Sequence, residues 1–127
     1  MVCDETMAAY FKDTMTAMVG AEHFRQIGHR TGSTDMGDLS QVMPVLHPYI
    51  GGARGTGHGA DFQIVDRSLA YIAPAKALAS MAIDLMYDGA TGARQVLAKA
   101  QPPMTREHYL SFQRSVGKSE TFDGATA

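Results

Sequence analysis

The stretch SLAYIAPAKALASMAIDLMYDG, residues 68–89, decides how the rest of the chain is read. Leu69, Ile72, Ala73, Leu78, Met81, Ala82, Leu85 and Met86 recur at the three- and four-residue spacing of one α-helical face. Proline lacks an N–H and is tolerated in the first turn of a helix, so Pro74 marks the start, with residues 71–73 as a lead-in. Asp88-Gly89 ends the helix. Downstream, TGARQVLAKA is expected to form a shorter helix stopped by Pro102-Pro103. TREHYLSFQRSV is expected to start another, capped by Thr105 with Glu107 nearby.

Upstream, residues 4–19 read as an amphipathic helix, with Met7, Ala8, Phe11, Met15, Met18 and Val19 on one face. Asp4 is its expected N-cap, Glu5 suits the positive end of the helix dipole, and Gly20 is its stop. Residues 31–38 have loop chemistry and lead into a short helical turn near residues 39–42. Residues 45–50 read as a short buried strand entered at Pro44, with Pro48 placing part of it at an edge or ending it early. Residues 51–59 hold five glycines in nine positions, which predicts an irregular loop able to bring backbone close to a ligand. A second strand is expected around residues 62–65 and a third within residues 21–30.

This order defines an α/β class with few strands and a long C-terminal helix. Residues 1–116 form the structured part and residues 117–127 a disordered tail. A lone strand leaves its backbone donors and acceptors unpaired, and so small a sheet is marginal by itself. The expectation is therefore an incomplete domain, or a chain that completes its sheet with a partner.

A length of 127 residues fits one domain, and 45% hydrophobic with 19% charged residues is ordinary for a globular chain. The net charge of −2 and the absence of Lys/Arg runs give no support to nucleic-acid binding. Cys3 is the only cysteine, which excludes an internal disulfide and a cysteine-rich zinc module. No apolar stretch is expected to approach the ~20 residues that span a bilayer. MVCDETMAAY lacks the regions of a secretory signal, so no membrane partner is expected and the expected location is the cytoplasm.

His58 stands between two glycines, where its imidazole can reach a metal without interference; zinc takes imidazole nitrogen at about 2.0–2.1 Å. The competing reading is an exposed loop histidine with no role, and the residues alone leave both open. Asp35, in GSTDMGD, can orient a ligand or cap the following turn, and capping is the commoner role. Asp38 has the same two readings. Ser33 is not in a G-x-S-x-G elbow. His47 reads as a satisfied core or substrate-side histidine, and His23, His29 and His108 as surface residues. The methionines follow helical faces, as core packing does. The glycine loop lacks the lysine of a phosphate-binding loop.

Three segments in order, RTGSTDMGDLSQVMPVLHPYIGG, GTGHGADF and APAKALASMAIDLMYD, resemble the C-terminal part of the zinc aminoacylase/carboxypeptidase family, nearest its p-aminobenzoyl-glutamate hydrolase branch. The likeness covers roughly residues 7–99. It implies part of a three-layer catalytic domain that holds two ions of zinc or manganese and hydrolyses the amide of an N-acyl or N-aminobenzoyl amino acid. It further implies that His58 is a late metal ligand and that Gly32, Ser33, Thr34 and Asp35 border the substrate pocket. The family's other ligands and its general-base glutamate lie upstream, and no segment here matches them. One imidazole does not hold zinc tightly. The chain by itself is expected to retain no metal, to contain no catalytic residue of its own and to be inactive. Its expected partners are the missing N-terminal part of the catalytic domain and further copies of itself, joined through a sheet edge or helix faces. Two other readings stand beside this one: a stand-alone binding or oligomerisation module, and an unrelated small α/β protein.

Overall fold

Helix α1, Glu5–Val19, begins where Asp4 leaves helical geometry (φ −71°, ψ 125°) and its carboxylate accepts the Met7 N–H at 2.8 Å. Gly20, at φ +88°, stops it. The computed structural model describes residues 1–28 and 31–126. After α1 come a 3₁₀ turn at Ala21–His23 and the one-turn helix α2, Met36–Leu39. Strand β1, Ala53–Arg54, pairs antiparallel with β2, Gln63–Ile64, setting Ala53 opposite Ile64 and Arg54 opposite Gln63. A π-helical turn, Ser68–Ile72, runs into α3, Ala73–Lys99. Helix α4, Arg106–Val116, starts where the Thr105 hydroxyl accepts the His108 N–H at 3.2 Å.

Helix α3 is two helices in one. Tyr87 has ψ 156°, and Asp88, Gly89 and Ala90 follow at φ +48°, +63° and +63°, which breaks the helix between residues 73–86 and 91–99. The two limbs fold back on each other at Gly92. A β-carbon there would lie 2.5 Å from the Asp84 carbonyl oxygen and 3.1 Å from the Leu85 α-carbon, so only hydrogen fits. The Thr91 hydroxyl donates to the Asp88 carbonyl at 2.8 Å, and the Arg94 guanidinium donates to the Gly89 carbonyl. The expected stop at Asp88-Gly89 and the expected second helix therefore both match the structure.

Helix α1 lies against both limbs. The Tyr10 hydroxyl donates to Gln95 Oε1 and the Thr14 hydroxyl to Asp84 Oδ2, each at 2.9 Å. Met15, Ala77, Met81 and Val96 are buried, together with Val45. The segment after α2 is knitted in by main-chain bonds. The Asp4 N–H donates to the Val45 carbonyl at 2.8 Å and the Met104 N–H to the Gln41 carbonyl at 2.9 Å. Ser40 is buried with its hydroxyl satisfied, accepting the Val2 N–H and donating to the Gly37 carbonyl.

Several expectations change here. Residues 45–50 form no strand: Val45 is buried, but Pro44 and Pro48 lack N–H donors and Tyr49 and Ile50 are exposed. Residues 51–59 are not wholly irregular, because Ala53–Arg54 joins β2. The strand expected at residues 62–65 is present as Gln63–Ile64. The stretch 21–28 contains a 3₁₀ turn and no strand, and residues 29 and 30 lie outside the described residues. Residues 117–123 take no regular structure and are exposed, with one 3₁₀ turn beyond them at Gly124–Thr126. The helical run Ser68–Lys99 is long and apolar enough to cross a membrane by length and composition alone. The expectation that no stretch approaches that length is corrected, because over a window the apolar residues of this run outweigh Lys76 and Asp84. The reversal at residues 87–90 divides that run.

Gly92→Ala forces the two limbs of α3 apart. Overpacking of this kind costs about 1–3 kcal/mol, so the urea midpoint falls while the helical circular-dichroism signal of the folded state is kept. An unchanged midpoint would show that the limbs are not in contact.

Candidate functional site

The β1–β2 connection is a tight hairpin built around glycine. At Gly55, φ is +94°, and a β-carbon would meet the Asp61 carbonyl. The Gly59 N–H donates to the Thr56 carbonyl at 2.8 Å, closing a turn over residues 56–59. Both carboxylate oxygens of Asp61 accept the Thr56 N–H, each at 3.2 Å. His58 sits inside this turn at φ +64°. A left-handed backbone at a residue with a β-carbon costs about 1 kcal/mol or more. The imidazole is exposed and has no hydrogen bond, ion pair or ring contact with any described residue. Both of its nitrogens are open to an external partner.

Residues 32–35 form an exposed approach to α2. Gly32 is at φ +139° with open space beside it. Ser33 and Asp35 are exposed and Thr34 is half-buried. The capping expected of Asp35 is not made. Asp35 has helical φ and ψ (−61°, −20°), which turns its carboxylate away from the first-turn N–H groups, and the Thr34 hydroxyl accepts the Met36 N–H at 3.4 Å instead. The carboxylate of Asp35 is left without a partner among the described residues.

These two groups do not form one ligand set. No hydrogen bond or ion pair joins His58 to residues 32–35. Among the described residues, no three His, Cys, Asp or Glu side chains come together so as to hold a metal ion. A zinc site needs three or four protein donors. The described residues thus hold no complete metal site, and His58 is the exposed imidazole they offer to one.

Two features escape a reading by spacing. His47 packs its ring on Tyr49 (centroids 5.2 Å apart, 38° between planes), yet its Nδ1 is buried with no hydrogen-bond partner. The expectation of a satisfied histidine is corrected, because two flanking prolines remove nearby N–H donors. Tyr109 of α4 meets Asp38 of α2. Its phenol is pushed above the ordinary tyrosine value, first by desolvation, then by the negative charge of Asp38 and the hydrogen bond to it. The Gln113 amide, donating to Tyr109 Oη at 2.9 Å, partly offsets this. Nothing in the sequence links positions so far apart. His23 is exposed beside Glu22 (3.6 Å) and His108 is exposed, as expected, whereas His29 lies outside the described residues.

An open cleft of about 420 Å³ lies between the N-terminal segment and the end of α3, with Cys3, Glu5, Ser40, Lys99 and Pro102 on its walls. Comparison with family models, with curated proteins and with solved structures returns no match for this chain.

The raised phenol carries a pH dependence of known sign. The folded chain holds the Tyr109 proton more tightly than the unfolded chain. The contact with Asp38 is therefore intact below the unfolded tyrosine value of about 10 and is lost as pH rises through the folded value. Tyrosinate absorbance should show one phenol titrating above the others, and Asp38→Asn should bring it down. A titration unchanged by Asp38→Asn would disprove the contact.

Proposed function

We propose that the chain is the C-terminal part of the catalytic domain of a metal-dependent amidohydrolase or peptidase. In this reading it belongs to a partial three-layer α/β domain and acts in the cytoplasm on the amide bond of an N-acyl or N-aminobenzoyl amino acid. The observation that carries the reading is His58: a histidine in a left-handed turn, between glycines, exposed at a hairpin tip and without an internal partner. The likeness of residues 30–52, 55–62 and 73–88 to the hydrolase family sets the chemistry that such an imidazole serves.

In the complete site His58 supplies one neutral nitrogen donor to zinc or manganese. Such an ion, when bound, polarises the scissile carbonyl and lowers the pKa of its water toward about 7. The remaining donors and the general base come from the upstream part of the catalytic domain. Ser33 and Thr34 offer hydroxyls, and Asp35 an unpaired carboxylate, to the polar groups of the amino-acid substrate, while Gly32 keeps their approach open. The two-stranded hairpin has open edges on which further strands can pair. A second reading, a stand-alone non-catalytic binding or oligomerisation module, is favoured by one observation: no described cluster of side chains holds a metal.

The purified chain with zinc or manganese should show no turnover of N-acyl or N-aminobenzoyl amino acids. Mixing it with a chain that carries the upstream ligands should restore hydrolysis, and His58→Ala should lower the restored rate by at least the roughly 10–100-fold that loss of a mere outer-shell partner of a metal ligand costs. Restored activity indifferent to His58→Ala would refute the assignment. Absence of any restoration would favour the module.

A further inference from the structure

The reversal inside α3 is strained. Asp88 and Ala90 carry β-carbons at φ +48° and +63°, on either side of Gly89 at φ +63°. The left-handed helical region brings a β-carbon too close to the following carbonyl oxygen, and chains visit it as single residues rather than in runs. Here three occur in succession, and only the middle one is glycine. The local sequence is also compatible with a straight helix. No proline lies between Pro74 and Pro102, so every N–H from residue 75 to 101 can donate. In a straight helix the Asp88 and Gly89 carbonyls, now held by the Thr91 hydroxyl and the Arg94 guanidinium, accept the N–H groups of residues 92 and 93. The second limb is held by Gly92 against Asp84 and Leu85, by Gln95 bonded to Tyr10, and by the buried side chain of Val96. Beyond α3, the Met104 N–H bonds the Gln41 carbonyl and Tyr109 meets Asp38.

We propose that residues 87–90 are a hinge through which the segment from Thr91 onward exchanges between two copies of the chain. In the exchanged dimer α3 is one straight helix. The second limb of each copy then occupies on its partner the place it holds on its own chain in the monomer. The inference is independent of the hydrolase reading. The register supports it. Gly92 meets Asp84, and these two positions are equally far from residue 88. An antiparallel pair of straight helices with its two-fold axis near residue 88 therefore brings Gly92 of each copy onto Asp84 of the other, as a two-fold interface requires. Each straight helix, residues 73–99, is about 40 Å long at 1.5 Å per residue. The contacts with Tyr10, Gln41 and Asp38 are made again, now between chains. The surface that receives the exchanged segment is thus one the monomer already uses. The left-handed residues disappear in both copies, and short connections under strain favour such an exchange. One interaction opposes it. Asp88 stands one turn from Gly92 on the same helix face, so its two carboxylates come together at the axis and repel.

Substitutions in the hinge test this, because they act in opposite directions. A β-carbon on Gly89 would meet the Arg94 guanidinium at 3.8 Å, an ordinary van der Waals contact. Gly89→Ala therefore strains the reversal without a clash and raises the helix propensity of the straight form. It should strengthen dimerisation at least about 10-fold, measured by sedimentation equilibrium after refolding at high protein concentration. Ala90→Gly relieves the strain at φ +63° and should shift the wild-type equilibrium toward the 13.6 kDa monomer. In a Cys3→Ser background, Tyr10→Cys and Gln95→Cys joined by a short bis-maleimide should give covalent dimers from the dimer fraction and intramolecular links from the monomer fraction. A Gly89→Ala chain that stays monomeric at all concentrations would overturn the proposal. So would a dimer whose link between positions 10 and 95 is intramolecular, or an Ala90→Gly chain that dimerises as strongly as the wild type.

Discussion

The contact that the helical part of the structure depends on is the one between Gly92 and the backbone of Asp84 and Leu85. It lets α3 double back after three successive left-handed residues, and it places Val96 of the second limb in the same buried set as Met81 of the first. Helix α1 then clamps both limbs, with one hydrogen bond to each. Any side chain at position 92 pushes the limbs apart and separates these two anchors. A turn that three backbone conformations make possible is thus held by a single missing β-carbon.

The core that results is small. Met15, Val45, Ala77, Met81 and Val96 are its buried apolar residues, while Leu78, Ile83, Met86, Tyr87 and Leu97 stay largely in solvent. Burial of apolar area is the main favourable term in folding, so this distribution leaves the first limb of α3 with much of its apolar surface in water. The candidate site has the same incompleteness. The turn that carries His58 is held in place by Gly55 and the Asp61 carboxylate, yet His58 belongs to no group of three metal donors among the described residues. The Asp35 carboxylate likewise has no partner among the described residues. Both groups are positioned by local backbone geometry.

The helices were legible because their signals are local. Asp4 and Thr105 cap α1 and α4 as their residue types predict, and Gly20 and Asp88-Gly89 stop helices where expected. Residues 45–50 were misread because an apolar run marks burial without specifying what it pairs with, and Pro44 and Pro48 deny a neighbouring strand its donors. The role of Asp35 was misread for a related reason. Capping needs the residue outside helical geometry, and the chain enters α2 one residue too early for that. At the site, the exposure of His58 was legible from its glycines. The open Nδ1 of His47 and the Asp38–Tyr109 contact were not, since both arise from packing between distant segments.

The amino-acid sequence by itself determined where α1, α4 and the two limbs of α3 start and stop, that a histidine is displayed on a glycine-built turn, and that no cysteine framework exists. Each of these follows from the properties of a residue and its near neighbours. Tertiary structure alone decided that α3 reverses, that Ser40 is buried, and that a second apolar face of α3 remains uncovered. Those depend on which surfaces meet, and the free energy of burial is set by the partner surface as much as by the residue that is buried.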